Sequence, residues 1–159
     1  MINLATLQNK MDETVFNYVD TTNNWQKAYA ILDDLLHQTV NYFNQFVEQR
    51  NGELPTSNSY WTLFMDIASR LIYFNGMTHA KLIDIQDEGA KNNIVNLYKI
   101  SVTCMPNSNL MQNEQFLEEI VASYLELEPN GEGAHILDKV GSSGEDCIQS
   151  FYELCKTYN

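Results

Sequence analysis

Few side chains in this 159-residue chain could do chemistry: three histidines, three cysteines and an uneven run of carboxylates. Asp33 and His37 stand four apart, and Glu132 and His135 three apart. Either spacing can put two metal ligands on one helix face. A di-iron centre in a helical bundle needs two such pairs plus two further glutamates, all pointing inward. His37 falls on the polar side of its helix, and Glu132 sits in the loop Pro129-Asn130-Gly131-Glu132-Gly133. The expectation is therefore no metal and no cofactor, with His37 at the surface, His79 at a helix start and His135 in a loop.

Nucleophilic catalysis finds no better footing, because a Cys or Ser needs a base and an oxyanion site. Cys104 ends a helix just before Met105-Pro106, where the dipole disfavours a thiolate. Gly141-Ser142-Ser143-Gly144 lacks the spacing of a nucleophile elbow. There is no phosphate-binding glycine loop and no dinucleotide fingerprint. A non-enzymatic protein is expected, with a small metal or thiol enzyme built on His37, His79 or Cys104 as the third choice.

The carboxylates are the most distinctive feature. Between Lys99 and Lys139 there is no Lys or Arg, yet Glu114, Glu118, Glu119, Glu126, Glu128, Glu132 and Asp138 all fall there. On a helix, Glu114, Glu118 and Glu119 are expected on neighbouring turns of one outer face, with Glu126 and Glu128 carrying the charge toward the loop. These five are the expected partner-binding residues; the competing reading is the solvated back of an amphipathic helix. Asp12-Glu13 and Asp33-Asp34 add further negative charge.

The whole chain carries 21 acidic residues against 9 basic ones, a net charge of −12. Such a surface repels nucleic acid and anionic membranes and favours a basic protein partner. No segment approaches the roughly 18 apolar residues of a membrane span. Met1 to Thr6 lacks the basic start and apolar run of a secretory signal. Cys104, Cys147 and Cys155 form an odd, unpatterned set, which predicts reduced thiols and a cytoplasmic location. Cys147 and Cys155 would lie about two turns apart on one helix, too far to bridge.

These residues must be positioned by helices. Trp25, Tyr29, Leu32, Leu36, Thr39, Phe43 and Phe46 recur in fours and threes, which predicts a long amphipathic helix over 24–50. Asn51-Gly52 closes it. Before it, Leu4, Leu7, Met11, Val15 and Tyr18 predict a helix from Asn3 to Tyr18, and the capping residues at 20–24 form a short turn. After Ser59 and as far as Phe74, the polar residues are few, Thr62, Asp66, Ser69 and Arg70, so a helix near 58–75 is expected to be buried on most sides, with Asp66 and Arg70 paired. Asn75-Gly76 should stop it, and Thr78 should cap a short helix to Asp87. Leu82 to Ile85 and 94–102 suit helix or strand. The stretch 90–104 reads better as a helix, with Ile94, Tyr98, Val102 and Met105 inward.

Leu110 to Leu127 follows as a helix with Leu117, Ile120, Val121 and Tyr124 inward. After a short segment from Ala134 to Val140, Ser142 with Glu145 and Ser143 with Asp146 offer overlapping capping boxes for a last helix. The segment 134–159 should dock through Ile136, Ile148, Phe151 and Leu154. Tyr42, Tyr60, Trp61 and Tyr73 lie at the margins of their apolar faces and are expected in the core; otherwise they would rim a groove or a dimer seam.

The chain is thus expected to be all-α, a single domain over 1–159 forming a bundle of six to eight helices. The function expected of it is that of an inhibitor or immunity-type protein, covering the basic surface of a nuclease or another nucleic-acid-handling protein without touching nucleic acid itself. The alternative is a helical assembly subunit acting through an aromatic homo- or hetero-oligomeric interface.

Overall fold

The computed structural model describes residues 2–106, 113–137 and 143–158. Among these the chain is all-helical: α1 (Leu4–Thr14), a π-helical turn (Val15–Asp20), α2 (Trp25–Gln49), α3 (Ser59–Ala80), α4 (Glu88–Cys104), α5 (Glu114–Leu127), the one-turn α6 (Gly133–Ile136) and α7 (Gly144–Thr157). No described helix is long and apolar enough to cross a membrane.

Side chains fix most helix starts. Asn3, Asn24, Asn58, Asp87 and Ser143 each accept a hydrogen bond from the backbone N–H three residues on. Each such cap is worth about 1 kcal/mol. α2 ends as its sequence requires: Asn51 and Gly52 take φ of 56° and 87°, and the Gly52 N–H returns to the Val47 carbonyl. The first helix departs from expectation in its last turn, which widens into a π-helix. There the Thr21 N–H and hydroxyl both donate to the Phe16 carbonyl, five residues back, and the Thr22 hydroxyl donates to that of Asn17.

The larger correction concerns α3. It does not stop at Asn75-Gly76 but continues to Ala80, so His79 lies in a last helical turn rather than a first one. Packing explains this. The Asn75 amide donates to the Asp33 carboxylate on α2 at 2.9 Å, while bare Gly76 lets the Tyr98 ring of α4 close in. Residues 81–87 are neither helix nor strand; Asp84 turns the chain by accepting from the Gln86 N–H.

Two hydrophobic clusters result, and both lean on α3. The first joins α1, α2, α3 and α7, with Cys104 of α4, around Phe43, whose ring meets those of Trp61 and Phe151 edge-on at 5.7 and 5.1 Å. Edge-to-face pairs of this kind contribute about 0.5–1.5 kcal/mol each beyond their burial. The second lies between α3, α4 and α5, centred on Tyr73, Tyr98 and Phe116. Phe74 and Met77 of α3 pack against both clusters. α7 is docked by Cys147, Ile148, Phe151, Leu154 and Cys155. The proposed helix start at Leu110, the residues Asp138 to Val140 and the Ser142 cap lie outside the described residues.

Candidate partner-binding surface

α5 carries the expected acidic residues, and three polar ties set its orientation. At its start the buried Asn113 donates to Asp66 at 3.1 Å and accepts from Arg70, which itself stands 3.8 Å from Asp66. The Asn113 side chain is thereby committed to α3 and gives no side-chain cap to α5. In mid-helix the Tyr73 and Ser123 hydroxyls meet at 2.6 Å. Near the end, Lys81 reaches Glu126 and Lys91 reaches Glu128, both at 3.5 Å. Nothing in the periodicity of 110–127 singles out Asn113, or Phe116, which is buried against Tyr73 and Phe74.

The carboxylates do not share one outer face. Glu114 and Glu118 stand one turn apart beside Leu117, Val121, Ala122, Leu125 and Leu137, which line an open groove of about 530 Å³. Neither glutamate meets a cation among the described residues. Five residues turn a helix by about 140°, so Glu119 points elsewhere. With Asp20, Glu126, Lys81, Ser123, Trp25 and Tyr73 it lines a second pocket of about 420 Å³. Burial, and secondarily the nearby Asp20 carboxylate, raise the Glu119 pKa. In the same pocket Lys81 lies 5.4 Å from the Trp25 ring centroid, so its charge is shared between an aromatic face and Glu126. Burial pushes the Tyr73 hydroxyl up to about 12, so it serves as a neutral hydrogen-bonding anchor.

Leu117 and Val121, expected inside, are instead only half-buried. The covered stripe is Phe116, Ile120, Tyr124 and Leu127. The apolar arc of α5 is wider than α3 and α4 can cover; Gly133 of α6 lies against Val121 and Leu125, and the part that stays open is the groove beside Glu114 and Glu118.

The other candidates disperse. His37 lies 3.5 Å from Asp33, but Asp33 also accepts from Tyr158 and Asn75 and so ties α2 to α3 and α7. His79 stacks on Tyr29 with centroids 4.7 Å apart. His135, in α6 rather than in a loop, pairs with Glu132 at 3.0 Å. Among the described residues no three His, Cys, Asp or Glu side chains converge as a metal site would require. Cys104, Cys147 and Cys155 are buried and not disulfide-bonded, and burial raises all three pKa values, Cys147 to about 11 and Cys155 to about 12. Such thiols stay protonated and unreactive at neutral pH. Trp61 and Tyr73 are buried in the core, 5% and 4% exposed; Tyr42 and Tyr60 are half-buried with their hydroxyls 3.1 Å apart. Compared with known protein families, curated proteins and solved structures, the chain matches none.

Proposed function

We infer that the protein is a non-catalytic acidic binder of the inhibitor or immunity type, which covers a basic surface of another protein, such as a nuclease or another nucleic-acid-handling protein. The observation that carries this reading is the pair Glu114 and Glu118, exposed one turn apart and meeting no cation among the described residues, on a chain of net charge −12. Carboxylates so placed substitute for phosphates at a basic groove, and the long-range field speeds encounter. Glu126 and Glu128 contribute less, because Lys81 and Lys91 already partly neutralise them. Glu119 stands in the neighbouring pocket, at the edge of such an interface.

The test is affinity capture from the source cells with the tagged protein, at low and high salt, beside a Glu114→Lys/Glu118→Lys variant. A stoichiometric basic protein, released by salt and held about tenfold more weakly by the variant, is the expected result. Undiminished binding by a folded variant would remove this edge of α5 from the interface. The alternative, an assembly subunit, draws on the open apolar groove: self-association or a partner retained at high salt would identify it.

A further inference from the structure

The groove beside Glu114 and Glu118 has two properties that point to one kind of occupant. Its floor is apolar and linear: Leu117, Val121 and Leu125 follow at intervals of four along α5, flanked by Ala122 and Leu137. A row at that spacing packs against the matching row of another helix, ridge into groove. Its edge is negative, since Glu114 and Glu118 meet no positive group among the described residues. An occupant must therefore present an apolar stripe and, beside it, positive charge.

A second copy of this chain meets only the first demand. A two-fold contact through the groove sets the same lining against itself, and that lining holds no Lys or Arg to meet Glu114 and Glu118; it would also join two molecules of net charge −12. An extended peptide gains nothing from the backbone of α5, whose hydrogen bonds are spent within the helix. A helix with leucine-like residues at three- and four-residue spacing and Lys or Arg along one flank meets both demands. We propose that the groove Leu117–Val121–Leu125 receives an amphipathic basic helix of a partner protein, with Glu114 and Glu118 pairing with its cationic flank. This rests on the acidic-binder reading above and gives it a docking geometry.

Two labelled synthetic peptides of about 18 residues, five turns of helix, test it against the full chain by fluorescence anisotropy. One carries a leucine stripe flanked by lysines; the other has the same composition scrambled so that no stripe forms. The striped peptide should bind one-to-one and about tenfold tighter than the scrambled one. Val121→Ser/Leu125→Ser should lose about tenfold in affinity, and Glu114→Gln/Glu118→Gln a comparable factor together with most of the salt dependence. Ala122→Arg, at an exposed position in the groove, should block binding in a protein whose circular dichroism and Tm are unchanged; it keeps the test valid if the serine pair fails to fold.

Equal binding of both peptides, lost only in the glutamine pair, would overturn the groove and leave the acidic reading standing. Striped-peptide binding that survives Ala122→Arg would overturn the groove as well. Self-association abolished by Ala122→Arg would make a second copy the occupant and refute the proposal. If neither peptide bound at low salt, the groove proposal would be overturned, while the acidic reading would stand or fall on the capture from cells.

Discussion

Single residues decide what α5 can offer a partner, and Glu119 shows how. Its neighbour Glu118 is solvated on one side of the helix, while Glu119, still exposed at the surface, is partly desolvated and lies near the Asp20 carboxylate. A carboxylate with a raised folded pKa binds protons in the native state at pH values where the unfolded chain has already released them. Its ionisation therefore lowers stability as pH rises through the ordinary carboxylate range and past the raised value. Below that range the group is neutral in both states and contributes nothing. Glu119→Gln should consequently raise Tm at pH 7, and the gain over the parent should shrink toward zero near pH 4. Thermal melts of the two proteins at several pH values check this; a gain independent of pH would show that hydrogen bonding, not charge, is at issue. The same residue marks where sequence reasoning fell short. Helical spacing alone separates Glu119 from Glu114 and Glu118, but only the fold shows that Asp20, ninety-nine positions away, waits on its side.

At the scale of elements, the close approach of α3 and α4 is what carries the fold past Asn75-Gly76. Among the described helices, these two make the most extensive contact. The Ser101 hydroxyl donates to the Ser69 carbonyl across the seam at 2.6 Å, and a Cβ on Gly76 would sit 3.1 Å from the Tyr98 ring, itself only 1% exposed. In Gly76→Ala the gain in helix propensity of about 1 kcal/mol is set against that tight contact, and a near-neutral change is expected. Gly76→Val adds two methyl groups that the buried ring cannot evade, and should cost about 1–3 kcal/mol. Urea denaturation of both variants measures it; a valine variant as stable as the parent would mean that the seam is looser than described.

This seam explains what was legible in the chain and what was not. The long stripe of α2, the Asn3 and Ser143 caps, the Asn51-Gly52 stop and the inward face of α4 are local patterns, and the fold keeps them. Asn75-Gly76 also reads locally as a stop. It is overruled because Asn75 finds Asp33 and Gly76 finds Tyr98, partners 42 and 22 positions away in a sequence that does not reveal them. Leu117 and Val121 fail for the opposite reason. Periodicity marks an apolar arc but not how much of it the neighbouring helices can cover.

For the whole molecule, the question is whether its charge acts as a uniform field or through a few placed carboxylates. A net charge of −12 raises the encounter rate with any basic partner, and at physiological salt that field fades over about 8 Å. Replacing any two exposed carboxylates by lysine changes the net charge equally, and at low salt, where screening is weak, slows encounter by a similar factor, whereas only carboxylates at the contact hold a bound partner. Asp34 and Glu48 are exposed on α2, so Asp34→Lys/Glu48→Lys changes the net charge as much as Glu114→Lys/Glu118→Lys does. With the striped basic peptide in stopped-flow, both pairs should slow association by a similar factor at low salt and converge on the parent at high salt. Dissociation should quicken, by about tenfold, only in the α5 pair, because affinity differences at a fixed interface reside mostly in the off-rate. Equal acceleration of dissociation by the α2 pair would mean that no particular carboxylate holds the partner. The acidic surface would then act through solubility and steering alone, and α5 would have no special claim to the contact.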